Sequence, residues 1–74
     1  MYNIENLEKR IKEKKLFCKV EKERQFTFYV FYEFIKIWNR KTRKYEITKN
    51  TLYVAETNSL KRALQKYVDY LQNF

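Results

Sequence analysis

Residues 26–38, FTFYVFYEFIKIW, constrain the fold of this chain more than any other stretch. Aromatic and β-branched side chains fill the run, and Leu and Ala are missing, which favours a strand. As a strand it is apolar on both faces. Phe26, Phe28, Val30, Tyr32, Phe34 and Trp38 lie on one face, and Thr27, Tyr29, Phe31, Glu33, Ile35 and Ile37 on the other. The run exceeds ordinary strand length, so a bulge or bend is expected. A helix would instead align Phe28, Phe31, Tyr32, Ile35 and Trp38, and it is the weaker alternative.

The rest of the chain reads around this strand. NIENLEKRIKEKK is expected to form a helix capped by Asn3, with Ile4, Leu7 and Ile11 on one face and the pairs Glu5–Lys9 and Glu8–Lys12 on the surface. LFCKVEK alternates with period two, placing Leu16, Cys18 and Val20 inward, and EKER follows as a polar turn. After the aromatic run, NRKTRK reads as a hairpin tip, for which Asn39 tolerates left-handed geometry and Thr42 suits a turn. YEITK returns as a strand, Asn50 offers a turn, and TLYVAE forms a short further strand. Thr57, Asn58 and Ser59 are candidate caps for a last helix. Its apolar face is Leu60, Ala63, Leu64, Tyr67, Val68, Leu71 and Phe74. The expected fold is a small α+β domain, α-β-β-β(-β)-α, with an antiparallel sheet and both helices on one face.

At 74 residues the chain is expected to be a single domain, 1–74, with a marginal core. One cysteine and no histidine exclude an intrachain disulfide and leave a zinc site without its usual ligands. Stability then falls to aromatic packing, at about 150–250 Å² per ring, or to self-association, and a two-fold homodimer is expected. Glycine and proline are both absent, so turns fall to Asn, Thr, Lys and Glu, and a phosphate-cradling glycine loop is excluded. Without histidine the familiar hydrolytic triads are missing too. Cys18 reads as a small core residue, the carboxylates are scattered, and Glu33 is expected to pair with Lys36. The expectation is a non-enzymatic protein with no catalytic residues, no metal and no cofactor. No run is apolar enough to span a bilayer, the amino terminus lacks a signal-peptide pattern, and the lone cysteine suits a reducing cytoplasm. Lys, Asn, Ile, Tyr and Phe make up about half the chain, and their AT-rich codons suit a low-GC bacterium or its phages and plasmids.

The net charge is +8, and residues 36–49 hold six basic groups against Glu46 alone. With both helices on one face, the opposite face of the sheet has nothing in the chain to cover it. Tyr29, Phe31, Ile35, Ile37 and Phe17 are expected there, beside the basic hairpin of Arg40, Lys41, Arg43, Lys44 and Lys49. Rings beside cations suit nucleic acid, the rings stacking on bases and the charges neutralising phosphates. Lys61 and Arg62 in the first turn of the last helix are further candidate phosphate contacts. The element order and the segment SLKRALQKY resemble the double-stranded RNA-binding domain, in which basic residues at that helix start touch phosphates. This chain lacks that family's glycine- and histidine-bearing loop. A three-stranded sheet followed by a helix also resembles the arm-type DNA-binding domains of phage integrases, and neither resemblance assigns a family. The expected function is therefore a binding module for nucleic acid, of unspecified strandedness, or for a nucleoprotein complex. The alternatives are a phage- or mobile-element-encoded inhibitor of a host nuclease complex, comparable to anti-CRISPR proteins and acting in the host cytoplasm, and a structural homodimer.

Overall fold

The computed structural model describes residues 3–73. In chain order these form helix α1 (Ile4–Lys12), strands β1 (Phe17–Glu23), β2 (Phe26–Asn39) and β3 (Lys44–Glu56), and helix α2 (Leu60–Gln72). The strands make one antiparallel sheet in the order β1-β2-β3, and both helices pack on the same face of it. The expected α+β layout is observed. Phe74, expected on the last helix, lies outside the described residues.

Helix α1 begins where Asn3 accepts a hydrogen bond from the Asn6 backbone N–H at 2.8 Å, satisfying one of the free amides of the first turn. Lys9 reaches forward to Glu13 at 4.0 Å rather than back to Glu5. The helix ends in a left-handed turn at Lys14, φ 60°. There the Lys15 N–H bonds to the Arg10 carbonyl at 2.9 Å and the Lys14 N–H to the Ile11 carbonyl at 3.1 Å, a Schellman closure normally built on glycine. Arg24 and Arg43 take the same conformation at φ 57° and 55°. In a chain without glycine, three basic residues thus occupy left-handed positions, each at a cost of about 1–2 kcal/mol. Asn39 does not take this conformation. The β1–β2 connection is also tighter than expected, because Glu23 pairs with Phe26 and only Arg24 and Gln25 lie between them.

Strand β2 is continuous over its 14 residues, and the irregularity lies opposite it. Phe31 pairs with Tyr53 and Tyr32 with Thr51, leaving Leu52 as an extra residue on β3. Both Leu52 and Tyr53 pack against the core, as a bulge of two residues opposing one allows. Asn50 therefore makes no turn, and the expected break between two strands is absent: β3 runs through it. The Asn50 side chain donates to the Glu33 carboxylate at 3.3 Å. Lys36, the expected partner of Glu33, stands on the other face of the strand.

The core consists of Leu7, Leu16, Phe31, Ala55, Ala63, Leu64, Tyr67 and Val68. Tyr67 sits at its centre, 5.0 Å from the Phe31 ring and stacked on Tyr53 at 5.2 Å and 4°. The faces of β2 are thus the reverse of those expected. Phe31 is fully buried and Tyr29 packs beside it under the helices, so neither is an exposed platform. Phe26 and Phe34, expected in the core, are exposed, Phe28 is half-buried among the outward rings, and Val30 is buried outside the main cluster. Cross-strand pairing explains the choice. Phe31 lies beside Cys18 and Tyr29 beside Ala55, whereas the even-numbered positions face Lys19, Glu21, Lys49 and Glu56. A helix layer over those charges would have to desolvate them.

Beyond Tyr32, β2 continues with β3 alone, since β1 pairs no further than the Phe17–Tyr32 position. Residues 33–50 form a two-stranded arm that projects from the core. The radius of gyration is 14.5 Å, against about 11 Å for a compact chain of this length. The accessible surface is 6282 Å², against about 5,000 Å² expected from the mass.

Candidate functional site

Beyond the Phe26–Phe28 pair at the start of β2, the uncovered face of the sheet carries its rings in two groups. Near the core, Phe17 on β1 stacks on Tyr32 at 5.5 Å and meets Phe34 edge-on at 5.2 Å, and Tyr32 and Phe34 meet at 5.7 Å. Near the tip of the arm, Trp38 and Tyr45 pair across the strands at 5.0 Å. Phe34 is 52% exposed, Trp38 49%, Tyr45 67% and Ile47, between the two groups, 70%. Exposed apolar patches of this kind are uncommon on small monomeric proteins and often mark a contact surface.

Cations interleave with these rings. On the arm this face presents Phe34, Lys36, Trp38, Tyr45, Ile47 and Lys49, and no carboxylate. Both acids of the arm, Glu33 and Glu46, lie on the other face, where Glu33 accepts from Asn50 and Glu46 from Asn39 at 2.9 Å. Toward the core, Lys49 places its Nζ 4.4 Å from the Tyr32 ring centre, and Lys19 places its own at 6.0 Å. Lys19 also pairs with Glu21 at 2.8 Å. That bond raises the Lys19 pKa above its ordinary value and lowers that of Glu21, while the nearby Lys19 ammonium pushes Lys49 below the usual lysine range.

The arm tip is organised by one side chain. Asn39 Oδ1 accepts from the backbone N–H of Lys41 at 2.9 Å and of Thr42 at 3.4 Å, and the Asn39 carbonyl accepts from the Arg43 N–H at 2.8 Å. This asparagine turn folds the tip on itself, leaving Arg40, Lys41, Arg43 and Lys44 exposed around it.

Of the residues proposed from sequence, the structure gathers Arg40, Lys41, Arg43 and Lys44 at the tip and sets Lys49 further down the same arm. Lys61 and Arg62 stand apart, on the helix side of the sheet. There Lys61 borders Ile4 and Glu8 of α1, and Arg62 borders Gln25, Phe26 and Thr27. Sequence reasoning missed Lys19, Phe34, Lys36, Trp38 and Tyr45. A partial signal for the face was present in the parity of Glu33, the one carboxylate of residues 26–38, which falls on an odd position and leaves the even face of β2 without an acid of its own. Cys18 is half-buried beside Phe31, where desolvation raises its thiol pKa. Among the described residues no three His, Cys, Asp or Glu side chains gather as a metal site, and no helix is long and apolar enough to cross a membrane. Comparison with known protein families, with curated proteins and with solved structures finds no match for this chain.

Proposed function

We propose that this protein binds single-stranded nucleic acid along the open face of its β2–β3 arm, without catalysing a reaction. One observation carries this reading: the exposed rings of Phe34, Trp38 and Tyr45 alternate with Lys36 and Lys49 on a surface that lacks acids and leads into the basic tip. Exposed rings accept unstacked bases, which a duplex does not offer, and the lysines and tip cations neutralise the backbone. Face-to-face pairing of two copies competes for the same surface. It would also bring together two arms that each hold six basic and two acidic groups over residues 33–50, so an anionic partner suits the face better than a second copy does.

The test is titration of a labelled single-stranded oligonucleotide across salt concentrations, beside the matching duplex. With about five phosphates contacted, log affinity should fall against log salt with a slope near −3.5, at about 0.7 per contact. Replacing Arg40, Lys41, Arg43 and Lys44 with Ser should flatten the slope by up to about 2.8 and leave the fold intact. Unchanged binding by that variant at every salt concentration would sink the proposal. A protein partner, as for an inhibitor of a nuclease complex, is favoured by one separate feature: residues 33–39 of β2 have no strand beside them on the β1 side, an edge open to strand addition. A pull-down that survives nuclease treatment, with no affinity for the naked oligonucleotide, would support that reading instead.

A further inference from the structure

Tyr32 differs from the other rings of the open face in that cations stand over it. Phe17 stacks with it and Lys49 stands over it at 4.4 Å, within the range of a cation–π contact. Lys19 approaches the same ring on the same face from the opposite neighbouring strand, β1, at 6.0 Å. The register explains the convergence. Lys19 on β1 pairs with Val30 and Lys49 on β3 with Phe34, so the two lysines flank Tyr32 diagonally from the two outer strands. Such diagonal neighbours lie about 7–8 Å apart along a sheet, within reach of long side chains. Two ammonium groups are thus held over one ring, with Glu21 as the carboxylate bonded to Lys19 at 2.8 Å.

We infer that Lys19 and Lys49 form a two-lysine clamp over Tyr32 that holds one phosphate group, with Tyr32 serving as a seat for the cations and not as a base-stacking ring. Lys49 has the ring beneath it and the Lys19 ammonium beside it, and that neighbour and, secondly, desolvation lower its pKa against a smaller opposing pull from Glu21. An anion between the two ammonium groups relieves their repulsion. A phosphate offers several acceptor oxygens, so it can accept from both lysines at once, whereas the Glu21 carboxylate is committed to Lys19. The ligand class is a phosphate mono- or diester. On the reading of the open face proposed above, on which this inference rests, it is the backbone phosphate next to a base stacked on Phe34. Glu21 then acts as a competing anion that the phosphate has to displace or share with.

Two measurements separate the clamp from the general reading. In the first, inorganic pyrophosphate is titrated into the intact protein while the side-chain ammonium and Tyr32 ring resonances are followed by NMR. Saturable shifts at Lys19, Lys49 and Tyr32, absent in the Lys19→Gln/Lys49→Gln variant, are expected. In the second, the single-stranded oligonucleotide is titrated against salt. Each of Lys19→Gln and Lys49→Gln should flatten the slope by about 0.7 and weaken binding about fivefold at 0.1 M salt. Glu21→Gln should do the opposite and tighten binding, because it frees Lys19. Tyr32→Phe should bind as the parent does, since the ring and not the hydroxyl seats the cations. All four positions reach solvent and thermal melting verifies folding, so a loss of binding can be separated from a loss of fold. If the oligonucleotide binds but Lys19→Gln, Lys49→Gln and Glu21→Gln leave slope and affinity unchanged, the clamp is wrong and the open-face reading stands. If pyrophosphate shifts the two lysines but the oligonucleotide does not bind, the clamp stands and the nucleic-acid reading falls. Absence of both responses overturns both.

Discussion

Phe31 and Phe34 lie three positions apart on one strand and meet opposite environments. Phe31 is fully buried against Tyr67, and Phe34 is half exposed beside Phe17 and Tyr32. Truncating a buried Phe costs about 3–5 kcal/mol, a large part of the stability available to so small a domain. Phe31→Ala should therefore leave the chain largely unfolded in a thermal melt. Phe34→Ala removes a ring that is still half in water and should cost about 1 kcal/mol of stability. It should lose about 1–3 kcal/mol of oligonucleotide affinity if a base stacks there. The reverse outcome, with a stable Phe31→Ala and an unfolded Phe34→Ala, would mean that the helices cover the other face of the sheet.

The arm is the element whose stability and proposed role depend on each other. Its apolar side chains face solvent, and an isolated two-stranded hairpin is marginally stable in water. It persists because β2 and β3 each run unbroken into the sheet that the helices cover, and because Asn39 closes the tip. Local opening should then follow burial along the same two strands. In hydrogen exchange, amides of residues 34–39 and 44–49 should exchange well before those of 28–31, and the bound oligonucleotide should slow the arm selectively. Equal protection along both strands would show that the arm is not a separable unit and that something further holds it.

At the scale of the whole molecule, shape and charge act together. A chain with about 1,300 Å² more surface than its mass predicts, much of it apolar and on one side, would ordinarily associate. The charge opposes this, since the surplus of cations sits on the same arm, and repulsion between exposed charges weakens as the Debye length shrinks from about 10 Å at 0.1 M to 3 Å at 1 M salt. Sedimentation equilibrium should find a monomer at low ionic strength and a growing dimer fraction as salt rises. A stable dimer at low salt would mean that a second copy owns the open face and would displace the nucleic-acid reading.

Much of the architecture was legible in the residues alone. The three- and four-residue spacing of Leu7 and Ile11, and of Ala63, Leu64, Tyr67 and Val68, marks two amphipathic helices, because one turn of helix repeats every 3.6 residues. Asn3 announces a cap, and the β-branched and aromatic content of residues 26–38 marks a strand. The cationic tip was legible too, as four basic residues within five positions around a turn-forming Asn39. Apart from the parity of Glu33, the sequence carries little of the choice of face. A strand that is apolar on both faces, with Thr27, Glu33 and Lys36 its exceptions, satisfies either burial pattern, and a shift by one residue exchanges the two. That choice was made by contacts between residues distant in the chain. Cys18 beside Phe31, Ala55 beside Tyr29 and the bulge at Leu52 set the register, and Tyr67 arrives from a helix more than thirty residues later to bury Phe31. The candidate site follows from the same decision, because Lys19 and Lys49 belong to different strands and meet over Tyr32 only once the register is set.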